Sequence, residues 1–220
     1  MQNAETVLNV LRERGRRGLP LEGLYRQLFN PQLYLLAYGR IYSNKGAMTP
    51  GPDAETADGM TMAKIERIID AVRHERYRFR PVRRHYIPKK DGKQRPLGLP
   101  SWSDKLLGEV IRLLLEAYYE PQFSGRSHGF RPGRGCHTAL AEVATTWTGM
   151  TWFIEADISD CFGLLIMMSW SGSCRRRSAT TGSCAWCATC SRPDTSRTGS
   201  GTSRCPARRK VAFSRPQRNG

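Results

Sequence analysis

The chain has 220 residues, enough for one domain or one and a half, with 35 Lys and Arg against 19 Asp and Glu and a formal net charge of +16. A sequence pI near 10.1, with basic residues interleaved among aromatics, points to a polyanionic partner, because neutralising phosphates releases condensed counterions. No apolar run reaches membrane-spanning length, and Met1 to Val10 lacks the basic-then-apolar order of a signal peptide. No membrane partner is expected, and a cytoplasmic location is the default.

In chain order, Val7, Leu8 and Leu11 stand at helical spacing within Ala4 to Arg14. Asn30-Pro31 opens a second helix, with Leu33, Leu36, Ala37, Tyr38 and Ile41 too closely spaced for strict alternation. Asn44-Lys45-Gly46 closes it, and Thr49 to Asp53 is a rigid polar loop. Thr61 to Arg78 reads as helix, with Ile65, Ile68, Ile69 and Val72 inward. The period then changes. Pro81 to Pro88 is a strand, Lys89-Lys90-Asp91-Gly92-Lys93 a turn with the Asp-Gly signal, and Gln94 to Leu99 its hairpin partner.

Ser103 or Asp104 can cap a long helix to Tyr119, its core face formed by Leu106, Leu107, Val110, Ile111, Leu114 and Leu115. Ser124 to Arg134 is a Gly- and Arg-rich loop, Cys136 to Trp147 a helix, and Thr151 to Ile158 an apolar strand ending in carboxylates. Helices, a hairpin, helices and a strand in that order give an α+β chain rather than a repeat or a doubly wound sheet.

Two features carry chemistry. Lys89, Lys90, Lys93 and Arg95 form a basic fork on the hairpin, a shape suited to triphosphates and nucleic-acid backbones. In Trp152 to Phe162, alternation puts Glu155 and Asp157 on one face, and a carboxylate near the strand end can coordinate Mg²⁺ with a neighbouring backbone carbonyl. A solvated turn and a surface aspartate are the plainer readings of the same residues.

Longer motifs extend these features. Tyr42 to Asp53 resembles the loop in the amino-terminal extension of group II intron reverse transcriptases. Arg78 to Gly98 resembles the fingers motif of that family, and Tyr119-Glu120-Pro121, Phe123-Ser124 and Ser127 to His137 resemble the next. Asp157-Ile158-Ser159 with Cys161-Phe162 resembles the first palm motif.

The resemblance, continuous from about Leu24 to Phe162, implies the fingers and first palm strand of a right-hand polymerase. It implies an intron-encoded RNA-directed DNA polymerase, with a splicing (maturase) role in the full-length family. Its partners would be intron RNA, an RNA template, a DNA primer and dNTP, with two Mg²⁺ ions. Asp157 would be the catalytic, metal-binding aspartate and the Ile158 carbonyl a second ligand. Phe162 would gate against a ribose 2′-hydroxyl, and Lys93 and Arg95 would contact the incoming triphosphate. Asn44, Lys45, Arg83, Arg84, Lys89, Lys90, Arg131 and Arg134 would bind RNA. On this reading residues 1–60 are an amino-terminal extension with an RNA-binding loop, 61–163 the fingers and the start of the palm, and 164–220 a tail.

The tail breaks the pattern. Up to Gly163 acidic residues accompany basic ones, and only Cys136 and Cys161 occur; afterwards Asp194 is the lone acid, and Cys174, Cys184, Cys187, Cys190 and Cys205 crowd in. Family members continue after Cys-Phe with Asp and then Asp-His, and carry Tyr-x-Asp-Asp further on; here Gly163 to Met168 follows and Tyr-x-Asp-Asp is missing from the 220 residues. One of three aspartates cannot hold two ions for in-line displacement, so the chain itself is expected to be an inactive, truncated fragment.

The cysteines permit an iron–sulfur reading, and the basic segment a non-catalytic RNA-binding module. A shifted reading frame accounts for more. Methionine has a single codon, so the G of Met167 with the AT of Met168 forces GAT, and permitted codons before it give Asp-His-Asp. The same offset permits Pro-Gln-Gly-Gly-Val from Arg209 to Phe213 and Ser-Pro from Arg215-Pro216. The tail is therefore expected to be out of frame and, without lasting apolar periodicity, disordered. Sequencing the coding DNA around the Gly163 codon should reveal a one-nucleotide slip that restores these motifs; an intact frame would return the cysteine cluster to consideration.

Overall fold

A computed structural model describes residues 2–44, 46–88, 92 and 94–157, together with the backbone of 212–214. The chain divides into two compact units, the first spanning Met1–Gln122 and the second beginning at Phe123.

Four caps set the helices of the first unit. Asn3 accepts from the Glu5 amide at 3.1 Å and opens α1 (Ala4–Arg16). Asn30 does the same for α3 (Pro31–Tyr42), accepting from Gln32 N–H at 3.1 Å with Pro31 in the first turn, where it forfeits no helical hydrogen bond. Thr61 caps α4 (Met62–Arg73) through the Lys64 amide, and Ser101 caps α5 (Trp102–Tyr119) through the Asp104 amide at 3.2 Å. A single short turn, α2 (Leu24–Gln27), escaped the periodicity because four residues make only about one helical turn.

The core is shared by helices from both sides of residue 60. Val7, Leu8 and Leu11 of α1, Leu33, Tyr34 and Ala37 of α3, and Ile65, Ile68, Ile69 and Val72 of α4 are all buried. They meet the face of α5 formed by Leu106, Leu107, Val110, Leu113, Leu114, Ala117 and Tyr118. Ile111 and Leu115, expected on that face, are only partly buried, while Leu113 lies inside. The α1–α5 crossing is close. A Cβ on Gly15 would stand 2.1 Å from the Tyr118 carbonyl oxygen, so only glycine fits, and the Tyr118 hydroxyl donates to the Leu19 carbonyl at 2.6 Å.

Two expectations are corrected here. The helix expected to reach Arg78 stops at Arg73, because Glu75 turns to φ 56° and the Arg76 and Tyr77 amides fold back onto the Ala71 carbonyl. That turn sends the Tyr77 hydroxyl to Asp104 Oδ1 at 2.7 Å, while Asp104 Oδ2 accepts from the Arg80 amide at 3.1 Å. Asp104 is therefore an interior acceptor, and the cap belongs to Ser101 rather than to Ser103 or Asp104. A buried carboxylate needs such partners, since leaving it unpaired would be costly.

A ribbon follows: β1 (Arg83–Pro88) pairs antiparallel with β2 (Gln94–Leu99), Arg83 opposite Leu99 and Pro88 opposite Gln94. Beyond Phe123 come α6 (Cys136–Thr146) and β3 (Phe153–Glu155), shorter than the expected strand from Thr151 to Ile158. β3 pairs antiparallel with β4 (Ala212–Ser214), Ile154 opposite Phe213. These last residues fall in the segment expected to lack regular structure; an open strand edge offers backbone partners to any extended segment, whatever its sequence. The rest of residues 158–220 lies outside the described residues. The architecture is α+β, as expected, and no helix among the described residues is long and apolar enough to cross a membrane.

Burial, then the hydrogen bond to Asp104, pushes the Tyr77 hydroxyl well above its ordinary range. Raising the folded-state value favours the neutral phenol, so the contribution to stability is complete below about pH 10 and is lost as pH rises beyond it. Urea midpoints followed by far-ultraviolet dichroism should fall with pH above about 10, and Tyr77→Phe should flatten that fall while lowering stability at neutral pH by about 1 kcal/mol.

Candidate nucleic-acid interface

The β1–β2 ribbon is exposed along both strands up to Gly98. Antiparallel register puts opposed residues on one face, so Arg83, His85 and Ile87 share a side with Leu97 and Arg95, and Arg84 and Tyr86 share the other with Pro96. Arg83 and Arg95 thus lie on one face and Arg84 on the other. No ion pair among the described residues engages Arg83, Arg84 or Arg95. The turn contains Gly92 at φ 76°, and Lys89, Lys90 and Lys93 lie outside the described residues.

An isolated two-stranded ribbon is marginal in water, so its root must be held. Arg80 pairs with Asp53 at 2.8 Å just before β1. Just after β2, Gly51 packs so tightly that a Cβ would stand 2.5 Å from the Pro100 carbonyl oxygen. The loop carrying Gly51 is itself pinned to α5: Trp102 Nε1 donates to the Ala47 carbonyl at 2.7 Å, Lys105 Nζ to the Thr49 carbonyl at 3.0 Å, and Ser103 Oγ to Glu55 at 3.0 Å. Desolvation at this junction lowers the Lys105 pKa. Asn44 is exposed at the start of the loop, and Lys45 lies outside the described residues.

In the second unit, the loop before α6 is tied by its own arginines. Arg131 donates to the Ser124 and Ser127 carbonyls at 2.8 and 2.9 Å and lies over the Phe123 ring, 5.4 Å from its centroid. Arg134 donates to the Gly125 and Ser127 carbonyls. His128 bridges Thr138, at 2.9 Å, and Glu142, at 2.7 Å. The resemblance assigns Arg131 and Arg134 to RNA; one nitrogen of each guanidinium also works inside the loop, a role that only neighbouring carbonyls reveal. It also exposes Phe130, which no spacing rule singled out.

Asp157 is exposed, two residues beyond the end of β3. Ile158 and Phe162 lie outside the described residues, as do the cysteines from Cys161 onward. Mg²⁺ takes about six oxygen ligands in near-octahedral geometry, whereas the described residues contain no group of three or more His, Cys, Asp or Glu able to hold a metal. Asp157 and Glu155 alone do not fit a two-ion site.

An exposed arginine-bearing ribbon rooted on a pinned loop is a surface suited to a nucleic-acid backbone. The sequence profile of the family "Reverse transcriptase (RNA-dependent DNA polymerase)" matches residues 87–205, and the chain belongs to that family. The match takes in β2, α5, α6 and β3 and runs past Gly163. Its relatives include proteins encoded in group II and other introns. It is 50% identical over 140 residues to the group II intron-encoded protein LtrA of Lactococcus lactis subsp. cremoris, covering 63% of this chain and 23% of LtrA. Against the 91 kDa protein in cob intron of Schizosaccharomyces pombe the identity is 47%, covering 63% and 17%. Against nuclear intron maturase 1, mitochondrial, of Arabidopsis thaliana it is 39% over 61 residues, covering 28% and 9%. The chain spans less than a quarter of the length of these relatives.

Arg131→Lys should test the loop clamp, since a shorter side chain ending in an ammonium cannot both reach the Ser124 and Ser127 carbonyls and lie over the Phe123 ring. Amide exchange across residues 124–135 should quicken by about fivefold, corresponding to about 1 kcal/mol of lost local protection, while α5 amides stay unchanged.

Proposed function

We propose that this chain is the nucleic-acid-binding fingers and opening palm segment of an intron-encoded RNA-directed DNA polymerase. The carrying observation is the β1–β2 ribbon, exposed on both faces, with Arg83, Arg84 and Arg95 engaged by no ion pair among the described residues and its root locked to α5. Such a ribbon can lie along a phosphate backbone with guanidiniums reaching to either side, and Tyr86 beside Arg84 adds a ring where bases would pass. Intron RNA, a template and a primer are the partners this reading implies, with dNTP and Mg²⁺ belonging to the complete polymerase.

What the chain's own residues do on this reading is bind and orient. Arg95 and the turn lysines Lys89, Lys90 and Lys93 would meet phosphate, and Asp157 would contribute one carboxylate to an assembled palm. Divalent ions, when bound there, supply charge stabilisation for nucleotidyl transfer. With residues 164–220 read as out of frame, the palm is unfinished, and the 220-residue chain binds RNA without extending a primer. This is the non-catalytic RNA-binding module; the cysteines of the iron–sulfur alternative lie outside the described residues.

Filter or anisotropy titrations with a structured intron-type RNA should give an affinity that falls steeply with salt. Arg84→Ala and Arg95→Ala should each reduce the slope of log K against log salt by about 1. Salt-insensitive binding would reject the phosphate reading. Templated extension by the purified chain, abolished by Asp157→Ala, would reject its inactivity.

A further inference from the structure

The loop between Phe123 and α6 carries a side chain that neither the fold nor the ribbon uses. Phe130 is fully exposed, with a relative accessibility of 110%, and its backbone sits at φ 56°. A solvated phenylalanine forgoes burial, and left-handed backbone is disfavoured for a bulky residue, so two unfavourable choices coincide at one position. Strain of this kind persists only where the surroundings impose it.

Here they do. Arg131 and Arg134, one and four residues beyond Phe130, hold the carbonyls of Ser124, Gly125 and Ser127 on the other limb of the loop. His128, two residues before it, is held by Thr138 and Glu142 of α6. The ring therefore projects from a tip fastened on both sides. Arg126, with a side chain 86% exposed, adds a largely solvated guanidinium to the same loop.

We propose that Phe130 is a stacking platform for an unpaired base of single-stranded nucleic acid. The inference rests on the nucleic-acid reading above and deepens it: the ribbon would take phosphate, and this loop a base. A fixed aromatic ring loses little freedom on stacking and accepts any base, since every base has a π-face. Sequence-tolerant contact with a passing strand is the ligand class this implies.

The test uses the full 220-residue chain with two labelled probes, a short uridine oligomer and a ribose-phosphate oligomer of equal length lacking bases. Phe130→Ala should weaken binding of the uridine oligomer by about tenfold and leave the abasic affinity and the salt slope unchanged. Phe130→Trp should keep or tighten uridine binding. Phe130→Gly should lose the same affinity yet raise the melting temperature, because glycine accepts the left-handed backbone without strain. Equal uridine affinity for wild type and Phe130→Ala would overturn the proposal alone, as would an equal loss on both probes. A lower melting temperature for Phe130→Ala and Phe130→Gly alike would also overturn it, by assigning the ring a packing role. Failure of the wild-type chain to bind either probe at low salt would overturn the nucleic-acid reading itself, and this inference with it.

Discussion

Trp102, the first residue of α5, has no exposed surface, and its indole N–H reaches back to the Ala47 carbonyl across 55 residues of chain. An indole of this size removes about 200 Å² from water, up to about 5 kcal/mol by area. That seat fixes the start of α5 against the loop after α3. Ser101 is then available as cap, Gly51 must pass beside Pro100, and Asp104 is carried inside, where Tyr77 and Arg80 converge on it. The path of residues 77–80 follows, and with it the direction from which β1 leaves. The ribbon's platform is thus a consequence of one buried ring and the polar groups arranged around it.

Acidic and basic residues divide their work unevenly. Asp104, Asp53 and Glu55 bind backbone or side chains at the base of the ribbon, and Glu142 holds His128. The arginines of β1 and β2 have no such carboxylate partner among the described residues. Around the ribbon, acids are turned inward and cations left facing solvent, which is the arrangement a phosphate partner requires. Arg131 and Arg134 are the counter-example: abundant basic charge in a glycine-rich loop also serves to hold the loop together.

The second unit is built differently. None of the residues of α6 or β3 is buried; Leu140, Trp147, Met150, Trp152, Phe153 and Ile154 remain exposed. These residues bury little apolar area against one another, so their local order rests on the helix, the loop clamps and a three-residue strand pairing. Asp157 stands exposed two residues beyond β3.

The sequence by itself determined most of the helical stretches, the two strands of the ribbon, the α+β class and the family. Those signals are local: apolar spacing, caps and motif order survive without knowledge of distant contacts. Tertiary structure decided what each polar residue does. It ended α4 at Arg73, moved the α5 cap to Ser101, made Asp104 an interior acceptor, split the ribbon's arginines between two faces and turned Arg131 and Arg134 onto their own loop. Each outcome depends on partners that no periodicity encodes, 24 and 27 residues apart for Asp104, or on a backbone turn such as those at Glu75 and Phe130. A carboxylate or guanidinium looks the same in sequence whether it faces water, a ligand or a neighbouring carbonyl; only the fold chooses among them.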